Sequence, residues 1–232
     1  MLNKFKFIIR KLKPTVFYQN KLTTKPISKV FGLDRGLPID RYYIEKFLAE
    51  NKQFIKGVTL EIAESTYTKK FGEEKVKKAL VFNVKKDRSK ADIIGNLATG
   101  EGIKENLVDC FIMTQTIPFI YDIHSAVKNA VKILKPGGSL LVTVPGITQI
   151  SRYDMSRWGQ YWSFTDLSLR KLFEEVVPAS CINIKTYGNV KVAAYFLYGF
   201  AKHELTQEEL EYHDPNYQLI IGVVVKKPTL RR

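Results

Sequence analysis

A run of aromatic and charged side chains between residues 152 and 162 is the part of the sequence best suited to bind a small polar molecule. Its aromatic residues follow neither a helical nor an alternating period, so a core stripe explains them poorly. Trp and Tyr rings offer stacking faces, and the Arg and Asp side chains between them would fix hydroxyl or phosphate groups. A lid that packs on the domain is an equally good interpretation. The side chains expected to hold a sugar or nucleotide-sugar acceptor are Arg152, Tyr153, Trp158, Tyr161 and Trp162.

Two side chains in the second half of the chain are candidates for an acid or a base. Asp154 lies inside the aromatic segment, and His213 stands beside Asp214 in a loop before the last predicted strand. An imidazole next to a carboxylate can move a proton near neutral pH, although such a histidine is more often structural. Cys110 and Cys181 lie far apart without Cys/His spacing, so neither a disulfide framework nor a metal cluster is expected. A reducing, cytoplasmic compartment is the expected location.

These side chains need a scaffold, and the hydrophobic pattern predicts alternating helices and strands. A helix is expected over 41–54, with Asp40 placed to cap it. The clearest helix lies at 123–134, where apolar residues recur at helical spacing behind a capping Asp122. A Lys-Pro-Gly-Gly turn at 135–138 is expected to end it. Apolar, β-rich runs predict strands at 58–62, 79–84, 91–94, 107–114 and 139–144.

A strand, a helix, a short turn and a second strand form a βαβ unit, so an α/β fold with a mainly parallel sheet is expected. A long connector at 146–163 follows, and one late strand should be antiparallel. Ligands of such an open sheet bind at the carboxyl ends of the strands. The remaining predicted elements are a helix at 165–175, a strand at 182–187, a helix at 192–202 and a strand at 217–225.

The positive charge of the chain is concentrated near its start. The net charge is +14, and residues 1–35 carry nine basic side chains against the single acid Asp34. These residues are predicted to form a basic arm in front of a domain over 36–232. Such an arm would contact an anionic membrane at the inner face, or be a solvated segment of a lysine-rich protein. No nucleic-acid motif is present. The longest strongly apolar stretch, 192–201, is ten residues, and a membrane span needs about 20.

Four segments of the sequence resemble the class I S-adenosylmethionine-dependent methyltransferases in their order and spacing. The resemblance covers roughly residues 36–225. The stretch from Thr143 to Phe173 is similar to a bacterial subgroup found beside the sugar-transfer enzymes of surface polysaccharide synthesis. The four segments are VTLEIA at 58–63, IIGNL at 93–97, VDCFIMTQ at 108–115 and ILKPGGSLLV at 133–142.

The resemblance implies a seven-stranded, Rossmann-like, doubly wound sheet that binds S-adenosylmethionine across its strand ends and transfers a methyl group. Glu61 and Ala63 would border the methionine portion, and Asn96 and Leu97 the adenine. Asp87 is the nearest acid for the ribose hydroxyls. Asp154 or His213 would serve as the base for a hydroxyl acceptor. The floor below the sulfonium would consist of Thr114, Gln115 and Thr116.

Three positions differ from the family pattern. The first loop, 63–68, reads AESTYT in place of a glycine-rich run. The register puts Asn83 or Lys85 where the acid that binds the ribose is expected, and Asn96 replaces the acid that binds the adenine.

The leading hypothesis is a methyltransferase acting on a small or saccharide-like acceptor in cell-surface glycan synthesis. The alternatives are a methyltransferase-like binding or scaffold protein that has lost its cofactor, and a membrane or nucleic-acid adaptor that acts through the basic arm.

Overall fold

A seven-stranded mixed sheet forms the centre of the protein, in the order β3-β2-β1-β4-β5-β7-β6. The computed structural model describes residues 23–85 and 91–229. Strand β7 runs antiparallel to both its neighbours, and the other pairings are parallel. This arrangement confirms the predicted α/β fold and its antiparallel late strand. The strands are β1 (Gly57–Ile62), β2 (Val76–Asn83), β3 (Ile93–Ile94), β4 (Val108–Thr114), β5 (Leu134–Pro145), β6 (Ile182–Tyr187) and β7 (Ile220–Lys226).

Helices cover both faces of the sheet, as a mainly parallel sheet requires. Within the described ranges no helix is long and apolar enough to cross a membrane. The helices are α1 (Ile39–Glu50), α2 (Thr66–Gly72), α3 (Ile123–Ile133), α4 (Arg152–Trp158), α5 (Asp166–Glu174), α6 (Val190–Tyr198) and α7 (Gln207–Glu211).

Two layers of buried apolar side chains fix these helices to the sheet. One layer packs α3 and α5 against one face, with Val127, Phe111 and Phe173 fully buried. The other packs α1 and α6 against the opposite face. There, a Cβ on Gly222 of β7 would lie 2.3 Å from the Phe47 ring, so only glycine allows α1 to approach the sheet this closely. This contact holds α1 beside the strand ends.

The clearest predicted helix is present, with its predicted cap: the Asp122 side chain accepts a hydrogen bond from Ser125 N. The turn predicted after it differs in form. Helix α3 passes directly into β5 at Leu134, and the Lys-Pro-Gly-Gly residues form an irregularity within that strand. Gly137 there has a φ of 78°, in the left-handed region that favours glycine. The turn residues therefore interrupt the ladder without separating helix from strand.

Several other predicted boundaries were wrong. Pro38, not Asp40, occupies the N-cap of α1, and Asp40 lies in its first turn. The connector predicted at 146–163 contains helix α4, capped by Ser151. Helices α2 and α7 were not predicted, because each is so short that it shows little apolar periodicity.

Part of the predicted basic arm packs on the domain. Ile27 and Phe31 contact the α1 and α6 layer. Arg35 is buried and forms an ion pair with Glu204, whose carboxylate also accepts a hydrogen bond from Ala201 N. Residues 1–22 of the arm lie outside the described residues, so its membrane contact and the boundary at residue 35 stay predictions.

Candidate functional site

A cleft of about 940 Å³ opens at the carboxyl ends of β1, β2, β3 and β4. This is the edge at which an open α/β sheet binds its ligands. The volume falls in the range of small-molecule and cofactor sites, about 300–1,000 Å³. The cleft is lined on the sheet side by the residues that follow each strand and on the outer side by α4 and the start of α1.

Glu61, at the end of β1, organises the loop that follows it. Its carboxylate accepts hydrogen bonds from Tyr67 N at 3.1 Å and Thr68 N at 2.7 Å. These donors belong to the first turn of α2, whose N-cap Ser65 makes no side-chain cap bond. Burial raises the pKa of Glu61, and the two backbone donors oppose that rise. Glu61 therefore caps α2 from the end of the preceding strand.

Ala63 adopts a backbone conformation that normally favours glycine. Its φ is +66°, its N–H donates to Phe82 O at 2.9 Å, and its methyl group is exposed in the cleft wall. The loop therefore makes the same kind of left-handed turn that a glycine would make, with one methyl group added. Tyr67 lines the cleft, and its ring packs at 6.1 Å from the ring of Phe71. The bulkier loop leaves the cleft open.

The segment after β3 supplies an amide and an apolar surface. Asn96 Oδ1 accepts a hydrogen bond from Ala98 N at 2.9 Å, so its Nδ2 is the end with no partner in the described part of the chain. Leu97 is buried, and its carbonyl accepts from Asn129 Nδ2 at 2.8 Å. Asn96 therefore presents its amide donor to the cleft more readily than its carbonyl acceptor.

The end of β4 forms the floor of the cleft. Thr114, Gln115 and Thr116 all line it. Gln115 has a φ of +48° and is held by Thr143 of β5, because its N–H donates to Thr143 O at 2.8 Å. The Thr116 hydroxyl donates to Thr114 O at 2.9 Å. The neighbouring strands β1 and β4 are thus each followed directly by a left-handed residue at the same edge of the sheet.

The predicted acceptor segment contributes part of the outer wall. Trp158 and Tyr161 line the cleft, as does Tyr121, whose ring meets that of Tyr161 edge-on at 5.4 Å. Trp162 lies behind this wall: its Nε1 donates to the Ile120 and Tyr121 carbonyls. Lys85 closes the β2 side, with its Nζ 5.4 Å from the centre of the Trp158 ring. The rings of Tyr121, Trp158 and Tyr161, which line the cleft, are called the aromatic wall.

Two of the predicted acceptor residues lie elsewhere. Arg152 and Tyr153 are exposed on α4 and do not line the cleft. The Tyr153 ring lies 3.4 Å below the guanidinium of Arg157, which does line it. Helical geometry explains this outcome, because a seven-residue helix turns its first residues away from the face that carries Trp158.

The two predicted bases differ in position. Asp154 lines the cleft, and its carboxylate accepts a hydrogen bond from the Ser151 hydroxyl at 2.5 Å. His213 lies outside the lining of the cleft, at the far edge of the sheet, where its Nε2 is 2.8 Å from the Thr186 hydroxyl. Asp87, the predicted ribose ligand, falls outside the described residues. Among the residues that the structure describes, no group of three or more His, Cys, Asp or Glu could hold a metal ion.

The cleft also contains residues that the sequence did not indicate. Asp40 and Arg41, in the first turn of α1, line it opposite the strand ends. Burial raises the pKa of Asp40 to about 6. Their position follows from topology: a helix that leads into the amino end of β1 has its own start at the opposite edge of the sheet, where the cleft lies.

Comparison of the sequence with known proteins gives one partial match. No family model matches the chain. One curated protein, the probable polyketide synthase 10 of Dictyostelium discoideum, is 26% identical over 91 residues, which cover 39% of this chain and 4% of that protein. The chain therefore spans only a small part of the length of that relative.

Solved structures match a far larger share of the chain. A methyltransferase from Archaeoglobus fulgidus, described as dependent on S-adenosylmethionine, is 8% identical with a TM-score of 0.51 over 81% of this chain and 94% of its own. The N-methyltransferase NodS from Bradyrhizobium japonicum, solved with S-adenosylhomocysteine, is 13% identical with a TM-score of 0.50 over 83% and 89%. The [4+2]-cyclase SpnF is 14% identical with a TM-score of 0.50 over 98% and 96%. The chain therefore has the Rossmann-like fold of these proteins.

Proposed function

We propose that this protein is an S-adenosylmethionine-dependent methyltransferase that acts on a small or saccharide-like acceptor. The observation that carries the proposal is the open cleft over the ends of β1 and β4, in which Ala63 makes the left-handed turn of a glycine. The resemblance of the sequence to the bacterial subgroup beside sugar-transfer enzymes supports a role in cell-surface glycan synthesis.

The residues of the cleft fit this cofactor in size and in donor set. Asn96 and Leu97 would hold the adenine, with the free Asn96 Nδ2 as a donor to a ring nitrogen. The loop at Glu61 and Ala63 would border the methionine portion. Gln115, on the floor, would lie below the sulfur. The cofactor, when bound, supplies a methyl group on a positively charged sulfur, which makes the methyl carbon electrophilic.

The chain's own contribution is to orient the acceptor and to exclude water from it. The aromatic wall offers stacking faces for a sugar ring or another flat acceptor. Arg157 and Lys85 line the same side of the cleft and would attract a phosphate or carboxylate group on the acceptor. Orientation of the acceptor against the methyl carbon can supply a large part of the rate, because it removes the entropy cost of encounter.

The alternative of a protein without a cofactor is not favoured, because the bulkier first loop leaves the cleft unblocked. The fold by itself does not determine the reaction, since SpnF has the same architecture and is described as a cyclase. The decisive question is therefore whether the cleft binds the cofactor.

Calorimetric titration of the full chain with S-adenosylhomocysteine tests the proposal. We expect one site per chain, and a loss of affinity of about 10-fold or more for Asn96→Ala, because one hydrogen bond in a dry site is worth about 1.5 kcal/mol. Asn183→Ala, the same substitution on exposed β6 at the far edge of the sheet, is the matched control and should bind as the parent does. Absence of binding at millimolar ligand would overturn the proposal.

A second measurement follows the transfer itself. The chain is incubated with methyl-labelled S-adenosylmethionine and a panel of monosaccharides, nucleotide sugars and phenols, and labelled products are separated by mass. Label in a saccharide product would support the acceptor class. Label only in a phenol would support the methyltransferase activity but contradict the saccharide-like acceptor.

A further inference from the structure

Exposed apolar side chains border one side of the mouth of the cleft. Phe31, Gln149 and Asp154 line the cleft, and residues one or two positions away from them in the chain do not. Four of these neighbours are apolar or aromatic side chains that are about half exposed or more. They are called the rim, and they are Val30 (49% exposed), Leu33 (60%), Ile150 (51%) and Tyr153 (67%).

Two segments that are distant in sequence carry the rim, and contacts with the domain hold both in place. Gln149 Nε2 donates to Lys29 O at 3.2 Å, which joins the segment after β5 to the basic arm. The Phe31 ring packs 5.9 Å from the Phe196 ring of α6. Phe31 is therefore anchored on the inside, while the rim residues on either side of it stay exposed.

Basic side chains alternate with the apolar ones along these segments. Lys29 directly precedes Val30, and Arg152 directly precedes Tyr153. The exposed basic side chains over 23–34 and 148–157 are Lys25, Lys29, Arg152 and Arg157, and the acids there are Asp34 and Asp154. The surface around the rim is therefore positive as well as apolar.

The chain in front of the rim adds further positive charge. Residues 1–22, which lie outside the described part of the chain, hold six basic side chains and no acidic one. They join the described structure at Thr23, whose carbonyl accepts a hydrogen bond from Tyr198 Oη at 2.9 Å. Because Thr23 is only a few residues before Val30, this charge is tethered close to the rim.

We propose that the rim docks the mouth of the cleft on an anionic lipid bilayer. Apolar side chains next to basic ones are typical of surfaces that lie in the interface of such a bilayer. The aliphatic groups and Tyr153 enter the headgroup region, and the basic groups contact the lipid phosphates. The mouth of the cleft then faces the headgroups. This docking goes beyond the proposed reaction and does not depend on it.

The composition of the rim favours a bilayer over a protein partner. The apolar centre of a protein–protein interface is depleted of charged residues. Here Lys29 and Arg152 directly adjoin the apolar side chains. The rim residues also lie on two separate segments around a mouth, not along one groove or one helix face that could hold a peptide or a helix.

Sedimentation of the full chain with lipid vesicles tests the docking. One set of vesicles contains equal parts of phosphatidylcholine and phosphatidylglycerol, and the other contains phosphatidylcholine alone. At about 0.1 M salt the chain should bind the anionic vesicles at least about tenfold more tightly than the neutral ones. Absence of binding, or equal binding to the two sets, would overturn the docking.

Leu33→Ser and Ile150→Ser separate the rim from the basic segment 1–22. Each substitution leaves the net charge unchanged and removes an apolar group from the interface, so affinity for the anionic vesicles should fall about fivefold or more. Val190→Ser is the matched control: Val190 is 55% exposed, but it begins α6 beyond the edge strand β6. The control should bind within about twofold of the parent.

Two results with these variants would overturn the rim. Unchanged binding by Leu33→Ser and Ile150→Ser would assign the lipid contact to the basic segment alone. Weaker binding together with a lowered Tm would assign the two side chains to packing. We expect the Tm to match that of the parent. Binding of S-adenosylhomocysteine is titrated without vesicles, so a failure of the cofactor proposal is distinguished from a failure of the docking.

Discussion

Replacing Ala63 with glycine should stabilise the protein. The φ of +66° places Ala63 in the left-handed region, which costs an L-residue about 1–2 kcal/mol through its Cβ. Glycine removes that cost, but it also makes the unfolded chain more flexible, which lowers the stability by about 0.4–1 kcal/mol. The exposed methyl group buries no apolar surface that would be lost. The midpoints of these two ranges give a net gain of about 0.8 kcal/mol.

Differential scanning calorimetry measures this gain as a rise in Tm of roughly 1–4 °C for a domain of this size. Ala179→Gly is the matched control, because Ala179 is also exposed and lies in a turn without a positive φ. It should lose about 0.4–1 kcal/mol, since only the unfolded-state effect operates there. A Tm for Ala63→Gly that is unchanged, or lowered as in the control, would refute the strained turn in the cleft loop.

Three further predictions concern the residues that shape the site. Glu61→Ala should lower the free energy of unfolding by about 2–3 kcal/mol in urea titration, because Tyr67 N and Thr68 N lose their acceptor. The control is Glu64→Ala, at an exposed position, which should change the free energy of unfolding by less than about 0.5 kcal/mol. Arg35→Met should cost about 3–5 kcal/mol by the same assay, since it removes the guanidinium from the buried Glu204 carboxylate, and a cost below about 1 kcal/mol would show that residues 27–35 do not anchor the domain. The pKa of Asp40 rises from 3.8 to about 6 on folding, so its contribution to stability is present below about pH 4 and is lost as the pH rises through 6. The free energy of unfolding of Asp40→Asn should therefore equal that of the parent at pH 3.5 and exceed it by about 1–2 kcal/mol at pH 7. An equal difference between the two proteins at both pH values would contradict the raised pKa.

Long periodic segments made most of the fold predictable from sequence. The apolar face of α3 and its Asp122 cap appear in the structure as the pattern indicated. The buried strands β1 and β4 also lie within a residue of their predicted bounds. Each of these segments owes its structure to local pattern and burial, both of which can be read along the chain.

The parts that could not be predicted depend on contacts between distant residues. Glu61 was expected to face a ligand, yet it caps α2, a helix too short to show a period. Asp40 was interpreted as a helix cap. Its place in the cleft depends on the closeness of Phe47 to Gly222, which lie far apart in sequence. Helix α4 carries Arg152 and Tyr153 away from the cleft, because about 3.6 residues per turn place them off the face that Asp154 and Trp158 share.

A crystal structure of the chain with S-adenosylhomocysteine tests the central claim most directly. We expect the adenine beside Asn96 and Leu97, the amino-acid portion along the Ala63 loop, and the sulfur above Gln115. Ligand density at another place on the protein, or a cleft filled by rearranged Tyr67 while the ligand binds elsewhere, would contradict the account.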